Sequence, residues 1–208
     1  MRRTKALDYI KLMKESPDLR VAEAGLELEE LYFKWKKSRD ISDLVDFIEA
    51  IEEKYAWALK RGLGRMPQSV GQFRAYALEE YIYDITVQAL GSGYEILWNE
   101  KIPVWEKDFE YSIAQDLAVM DRSGRLKAVV EAKVEVDAQR LKAVLMNFSL
   151  LKMSKNPSCA IVYVRWNADE KLKFLSKKLC VDEIFDFNRN KSEVERYKEW
   201  IRRVSTSL

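Results

Sequence analysis

The feature that most constrains the fold is a change in hydrophobic periodicity close to Ser69. Between residues 5 and 61 the apolar residues recur at helical spacing, and a further helical stripe runs from Ser69 to about Leu90. Beyond Leu90 the order becomes three strand-like runs, a helix, a strand, a helix, a strand and a terminal helix. This order predicts an α/β domain whose central mixed sheet is flanked by helices, preceded by an N-terminal helical extension.

The strand-like runs after Leu90 define the predicted sheet. Residues 94–98 form the first strand, and residues 110–120 and 126–133 form the next two. The last two are separated by Asp121–Gly124, a composition typical of a hairpin turn. Residues 159–164 are continuously apolar, which indicates a central strand covered on both faces.

A basic, glycine-bearing segment over residues 60–67 separates the helical region from the rest. Gly62 and Gly64 are expected to end the preceding helix, because glycine is the residue that most readily terminates one. We therefore predict two domains, an N-terminal helical region over 1–65 and a second domain over 66–208.

Composition excludes several classes of enzyme. The 208 residues include no histidine, which excludes Ser-His-Asp triads, Cys-His pairs and histidine-ligated zinc. Proton transfer would therefore depend on Asp, Glu, Lys, Tyr or a metal-bound water. The net charge is only +2, because 36 basic residues nearly cancel 34 acidic ones, so any anion-binding surface must come from clustered charges.

The remaining composition bears on location and source. No apolar run reaches the ~18 residues that a membrane span needs, so we expect a soluble cytoplasmic protein without a membrane partner. Cys159 and Cys180 lie among apolar residues, which favours two buried thiols over a disulfide. Scarce glycine and proline, with 7 and 4 residues, beside abundant charged residues favour a thermophilic source.

The predicted hairpin carries three residues suited to chemistry. Asp116 precedes an apolar run on the first strand, and Glu131 and Lys133 follow one on the second. Alternate strand residues share a face, so Glu131 and Lys133 project together, and antiparallel pairing can bring Asp116 near Glu131. Burying such charges is costly unless they are paired or bind a cation. The alternative is a salt-bridge ladder on an exposed edge strand.

Two carboxylates are hard oxygen ligands of the kind that Mg²⁺ or Mn²⁺ prefers, and the carbonyl of Ala132 could supply a third oxygen. A metal held by Asp116 and Glu131 would polarise a phosphodiester and bind the attacking water. Lys133 would orient that water and stabilise charge on the phosphate.

Asp116, the hairpin and Glu131-Ala132-Lys133 together resemble the PD-(D/E)XK nuclease superfamily, which includes type II restriction endonucleases, junction resolvases and repair nucleases. The resemblance covers about residues 70–187 and implies a restriction-endonuclease-like core. It also implies a further acidic ligand on the helix before the sheet. Glu79 is favoured over Glu80 for this role because it lies nearer the apolar stripe of that helix.

The chain departs from the superfamily pattern at one position, and similar triplets occur at two other places. The superfamily motif has proline directly before its first aspartate, whereas here Gln115 precedes Asp116. The triplet of an acid, any residue and lysine also occurs at Glu52-Glu53-Lys54 and Asp169-Glu170-Lys171. Both of these fall on predicted helices, where residues two apart do not share a face, so only the hairpin triplet fits the pattern.

The resemblance implies a Mg²⁺-dependent endonuclease that hydrolyses DNA phosphodiester bonds. Asp116, Glu131, Lys133 and Glu79 would be its catalytic residues, and Asp116, Glu131, Glu79 and Ala132 would bind the metal. A type II restriction-like enzyme is favoured, and cutting both strands would call for a homodimer. The alternatives are a structure-specific repair or Holliday-junction nuclease, and a non-catalytic nucleic-acid-binding module that keeps the fold. The choice between DNA and RNA also stays open.

Candidate DNA contacts are basic residues in two places. Lys60, Arg61 and Arg65 lie in the glycine-bearing segment, where the backbone could approach phosphates closely. Lys142 lies on the helix after the hairpin. The alternative for the segment is a plain helix C-terminus favoured by basic residues, and for Lys142 a solvated charge. The N-terminal region would serve DNA recognition or dimerisation.

Overall fold

The computed structural model describes residues 6–63, 68–105 and 111–206. The chain forms two compact units, Met1–Tyr81 and Ile82–Leu208. The first consists of helices in its described part, and the second carries the sheet. This division lies further along the chain than the one expected from the basic, glycine-bearing segment.

The N-terminal unit packs its helices around aromatic side chains. Trp35, Phe47 and Phe73 are fully buried, with the ring of Phe47 edge-on to that of Phe73 at 5.6 Å between centroids. Asp18 and Asp40 begin two of the helices by accepting hydrogen bonds from the first helical turn, each at 3.0 Å. The helices are α1 (Ala6–Lys14), α2 (Leu19–Ser38), α3 (Ile41–Glu53), α4 (Ala56–Leu63) and the first part of α5 (Gln68–Leu90).

The division between the units falls within α5 because its two parts pack on different partners. Phe73 stacks on Tyr9 of α1 at 5.1 Å, and Tyr81 donates a hydrogen bond to the Arg39 carbonyl at 3.1 Å. Further along, the Thr86 hydroxyl lies 2.6 Å from that of Tyr197 in the second unit. Because α5 contributes to two cores, the basic, glycine-bearing segment that precedes it does not mark the boundary between the units.

In the described residues of the second unit, five strands form one mixed sheet in the order β1-β2-β3-β4-β5. The first three strands pair antiparallel, and β3, β4 and β5 pair parallel, which confirms the predicted architecture. The elements are β1 (Glu95–Trp105), β2 (Tyr111–Met120), β3 (Leu126–Val136), α6 (Ala138–Ser154), β4 (Ser158–Trp166), α7 (Lys171–Leu179), β5 (Glu183–Asp186) and α8 (Lys191–Thr206).

Helices cover both faces of this sheet. Phe148 of α6 lies in one core with Ile184 of β5, whereas Phe185, the next residue, packs edge-on against Tyr197 of α8 at 5.4 Å. Because neighbouring strand residues point to opposite faces, α6 and α8 lie on opposite sides. Burial on both sides explains the continuous apolar run that forms β4.

Three details differ from the sequence prediction. The first strand extends to Trp105 and includes Pro103, which is tolerated because β1 is at the edge of the sheet. Ser69 does not precede α5 but lies within its first turn, since the described helix begins at Gln68. The helical stretch before residue 61 is broken at Lys54, so that it forms α3 and α4. Both cysteines are buried free thiols, as expected.

Candidate active site

The site lies where two strands of the sheet separate. The antiparallel register of β2 and β3 ends at the pair Leu117 and Val130. Beyond that pair β2 continues beside β1, while β3 continues beside β4 as far as Val136. Asp116 and Glu131 are the next residues after the last pair, one on each strand. We call this point, where β2 and β3 separate after Leu117 and Val130, the fork. Here the main-chain groups that β2 and β3 turn towards each other are not paired between the two strands.

The side chains of Asp116, Glu131 and Lys133 meet at this fork. Asp116 Oδ2 accepts hydrogen bonds from the Ala132 backbone N–H at 2.8 Å and from Lys133 Nζ at 2.9 Å. Lys133 Nζ also donates to Glu131 Oε2 at 2.6 Å. The ammonium thus bridges two carboxylates, and the Asp116 side chain takes the place of a ladder partner for the main chain of β3.

A tight turn sets which residues face each other at the fork. Asp121 Oδ1 accepts hydrogen bonds from the backbone N–H groups of Ser123 at 2.9 Å and Arg125 at 3.0 Å. Gly124 has a φ of 80°, in the left-handed region that favours glycine. The turn, together with the register irregularity between Val119 and Met120, places Leu117 opposite Val130. Asp116 and Glu131 are therefore the residues that follow the last pair on the two strands.

Burial of the three side chains is graded. The Glu131 side chain is 6% exposed, that of Asp116 18% and that of Lys133 27%. A group near the surface can reach a substrate, whereas a buried carboxylate is held in place and poorly hydrated. The site is therefore anchored at Glu131 and open at Lys133.

The environment shifts the acid–base behaviour of two of these groups. Burial and the neighbouring charge of Asp116 raise the pKa of Glu131 to about 8, in spite of the Lys133 ammonium. Burial alone would lower the pKa of Lys133, but the carboxylates of Asp116 and Glu131 outweigh it and raise the pKa above its ordinary value. The ammonium is held charged, and the two acids compete for a single cation.

This competition makes the donor set suited to a further cation. Two carboxylates and one ammonium leave one negative charge uncompensated when both acids are ionised. The Asp116 and Glu131 side chains also contact each other, and this contact helps to raise the pKa of Glu131. Carboxylate oxygens are hard ligands of the kind that Mg²⁺ takes, so the residues fit that ion. No group of three acidic or cysteine side chains comes together in the described part of the chain.

The candidates for an additional acidic ligand lie on α5, in the part that belongs to the N-terminal unit. Glu80 Oε1 accepts hydrogen bonds from the Tyr32 hydroxyl at 2.6 Å and from Lys36 Nζ at 3.0 Å. These contacts tie Glu80 to the packing of α2. Glu79 is also buried, at 6% exposure, and stays the predicted ligand.

The predicted DNA-contacting residues are surface groups where the structure describes them. Lys60 and Arg61 are exposed in the last turn of α4, and Arg61 lies 3.8 Å from the Asp18 carboxylate. Lys142 is exposed on α6. Arg65 lies outside the described residues.

A second set of charges, on β3, β4 and α6, was missed by the sequence analysis. Glu135 continues the alternation of Glu131 and Lys133, and it lies 3.3 Å from the Arg165 guanidinium and 3.5 Å from that of Arg140. The period of two along β3 could have indicated Glu135 as a neighbour of the site. Arg140 is only five residues from Glu135, whereas Arg165 is 30 residues away and follows only from the fold.

Comparison with known proteins supports the fold. No protein-family model matches the chain, and no curated protein does either. The chain is similar in structure to the BbvCI restriction endonuclease in its native A2B2 tetramer, with a TM-score of 0.53 and 13% identity over 98% of both chains. It is also similar to protein VC1899 from Vibrio cholerae, with a TM-score of 0.51 and 13% identity.

That second match covers 98% of this chain but only 58% of the Vibrio protein, so the chain spans a little over half of that relative. At such identities the likeness is one of fold. The chain therefore has a restriction-endonuclease-like α/β fold with N-terminal helices. Separately, none of the helices in the described ranges combines the length and apolar character required to cross a bilayer.

Proposed function

We propose that this chain is a Mg²⁺-dependent endonuclease that hydrolyses phosphodiester bonds in DNA, and that it acts in the manner of a type II restriction enzyme. The observation that carries the proposal is the fork between β2 and β3, where Asp116 and Glu131 flank the ammonium of Lys133. The restriction-endonuclease-like fold supports it, because the fork lies within the part of the chain that resembles the nuclease core.

Each residue of the fork has a separate role in this proposal. Asp116 and Glu131 would hold the metal through carboxylate oxygens, and the carbonyl of Ala132 would be a further ligand. Glu79 is kept as the sequence-based prediction for an additional ligand. When bound, Mg²⁺ would supply a Lewis acid that polarises the phosphodiester and a bound water that is more acidic than bulk water. Lys133 binds a phosphate oxygen and stabilises the negative charge that develops there, since its pKa keeps it protonated.

The protonation of Glu131 adds a requirement. A carboxyl with a pKa of about 8 carries a proton at neutral pH in the metal-free protein, so metal binding must displace that proton. The Lys133 ammonium must also move away from one carboxylate to reach a phosphate.

A cleavage assay tests the proposal. Supercoiled, linear, single-stranded and branched DNA are incubated with the protein, with Mg²⁺ or with EDTA. Discrete fragments from plasmid DNA that require Mg²⁺ support a restriction-like enzyme. Cleavage of branched DNA alone supports a repair or junction nuclease. Binding of DNA without cleavage of any substrate contradicts the enzyme proposal and supports a non-catalytic binding module.

Variants make this assay specific to the fork. Asp116→Asn and Glu131→Gln each remove one negative charge at nearly constant shape and should abolish cleavage. Glu170→Gln is the matched control, because Glu170 belongs to an equivalent sequence triplet but its side chain is 72% exposed at the start of α7. Equal activity in Glu131→Gln and Glu170→Gln would refute the assignment.

The homodimer is a separate part of the proposal. Cutting both strands of a duplex with one site per chain requires two chains, and the similar BbvCI protein forms an A2B2 tetramer. Analytical ultracentrifugation with and without duplex DNA tests this. A monomer in both conditions that still makes double-strand breaks in a single binding event would contradict it.

A further inference from the structure

A cavity of about 590 Å³ lies beyond the turn of the β2–β3 hairpin, at the opposite end from the fork. The turn residues Asp121, Arg122 and Arg125 line it on one side, and Ser205 at the end of α8 lines it on another. Asp121 is five residues from Asp116 along β2, or roughly 17 Å at the usual rise of a strand. The cavity is thus a separate place on the molecule from the candidate active site.

The lining of the cavity carries an excess of positive charge. Arg122, Arg125 and Lys127 contribute three cations against the single carboxylate of Asp121. Oδ1 of that carboxylate is engaged by the turn, since it accepts from the N–H and the hydroxyl of Ser123 and from the Arg125 N–H. Hydrogen bonds from Ser123 are the main cause that lowers the pKa of Asp121, and the charge of Lys127 contributes.

Two of these cations have no partner within the described ranges of the chain. The guanidinium groups of Arg122 and Arg125 make no ion pair or side-chain hydrogen bond there. Lys127 is only 9% exposed, so one of the three charges is largely removed from water. The two arginine charges at the cavity, which the described residues leave unpaired, favour an anion.

A buried hydroxyl at the same cavity gives an independent indication. Ser205 is 4% exposed, and its Oγ has no hydrogen-bond partner among the described residues. Leaving a buried hydroxyl unpaired is unfavourable, and such groups commonly await a ligand or a water.

The carbonyl groups at the end of α8 already have hydrogen-bond donors other than the cations of the cavity. The Ser205 carbonyl accepts a hydrogen bond from the Tyr94 hydroxyl at 3.2 Å. The Thr206 hydroxyl donates to the carbonyls of Arg202 at 3.1 Å and Arg203 at 3.0 Å. These contacts already satisfy carbonyls of the last helical turn, which basic side chains would otherwise serve.

We propose that this cavity is a binding site for a phosphate group, held by the guanidinium groups of Arg122 and Arg125 and by the Ser205 hydroxyl. Guanidinium groups match the oxygens of a tetrahedral phosphate in pairs, and a hydroxyl can donate to a third oxygen. The group could belong to a free phosphate-bearing anion or to the backbone of a nucleic acid. The inference does not depend on hydrolysis at the fork.

Calorimetric titration with inorganic phosphate, in EDTA and at constant ionic strength, tests the site directly. We expect millimolar binding to the wild type, and binding at least about ten-fold weaker in Arg122→Gln/Arg125→Gln. Arg20→Gln/Arg203→Gln is the matched control, since it removes two exposed arginines outside the cavity lining and gives the same net charge. Absence of phosphate binding to the wild type, or equal weakening by the control, overturns the proposal.

Ser205→Ala separates a ligand contact from a structural role. Removing an unpaired buried hydroxyl should leave the unfolding midpoint unchanged or slightly raised, while phosphate binding weakens by about ten-fold. A variant that is less stable but binds phosphate as the wild type does would show that the hydroxyl serves packing, which contradicts its part in the site.

A short DNA duplex distinguishes the two sources of the phosphate. If the site takes a backbone phosphate, Arg122→Gln/Arg125→Gln lowers DNA affinity in EDTA and reduces the salt dependence by about two phosphate contacts. If it takes a free anion, DNA affinity is unchanged and only phosphate binding is lost. Either result supports the site. Because both measurements are made without Mg²⁺, they stand or fall independently of cleavage.

Discussion

Replacing Glu131 with glutamine should change how the stability of the metal-free protein depends on pH. In the wild type the pKa of Glu131 is raised from 4.5 to about 8, chiefly by burial and then by Asp116. A raised pKa in the folded state means that the protonated group contributes stability below about pH 4.5. That stability is lost as the pH rises through about 8. Glutamine resembles the protonated acid and does not titrate.

The size of the effect follows from this shift. Between the two pKa values the free energy of unfolding falls by at most about 1.4 kcal/mol per pH unit. At pH 7 the wild type should therefore have lost roughly 3 kcal/mol relative to acidic conditions on account of Glu131 alone. Because the Glu131 side chain is only 6% exposed, solvent screening removes little of this cost.

Urea unfolding in EDTA at several pH values from about 5 to 8 measures the difference. The gap between Glu131→Gln and the wild type should widen with pH in favour of the variant, and other titrating groups cancel in the comparison. Glu170→Gln, which removes a largely exposed carboxylate, should track the wild type. Adding Mg²⁺ near pH 8 should stabilise the wild type and leave Glu131→Gln unaffected.

Parallel pH curves for Glu131→Gln and the wild type would refute the reasoning. Such a result would mean that Glu131 ionises normally, because the Lys133 ammonium fully compensates both acids. The fork would then carry no uncompensated negative charge, and a further cation would not be favoured there.

The remaining predictions concern catalysis, the helix carboxylates and DNA binding. Lys133→Met should lower the cleavage rate by more than about a hundred-fold in a single-turnover assay. DNA binding in EDTA should be retained. A cleavage rate near that of the wild type would show that Lys133 takes no part in the mechanism. Glu79→Gln should raise the Mg²⁺ concentration needed for half-maximal cleavage, and an unchanged Mg²⁺ titration would exclude Glu79 as a ligand. Glu80→Gln should instead lower the stability of the N-terminal unit by about 1–3 kcal/mol in chemical unfolding, because the buried Tyr32 hydroxyl and the partly exposed Lys36 ammonium lose a charged acceptor. A stable variant with altered Mg²⁺ dependence would reverse the two roles. Lys60→Gln/Arg61→Gln should weaken DNA binding and reduce its salt dependence, measured by fluorescence anisotropy, whereas unchanged binding would leave both residues as a helix terminus alone.

Much of the sheet and of the fork follows from local patterns in the sequence. Alternation along β3 places Glu131 and Lys133 on one face, and the turn at Asp121–Gly124 fixes which residues of β2 they meet. Neither inference requires knowledge of distant contacts. The order of strands and helices likewise leaves few arrangements of a mixed sheet open.

Contacts between distant parts of the chain could not be predicted in this way. Glu80 bonds to Tyr32, which is 48 residues earlier, so its structural role is invisible in the pattern of α5. The hydrogen bond from the Ala132 N–H to Asp116 depends on the separation of β2 from β3, which no local spacing indicates. The extent of the helical unit into α5 has the same origin, since it depends on partners in other helices.

The hairpin between β2 and β3 has a consequence for how such a chain can change. The length of its turn sets the register of the two strands. A register shift of one residue, caused by adding or removing a residue between Met120 and Leu126, would move one of the two acids to the opposite face of the sheet. Natural variants and engineered loops should therefore exchange side chains at this turn more readily than they alter its length. Insertions tolerated elsewhere on the surface would disable the protein here without replacing any of the three charged residues.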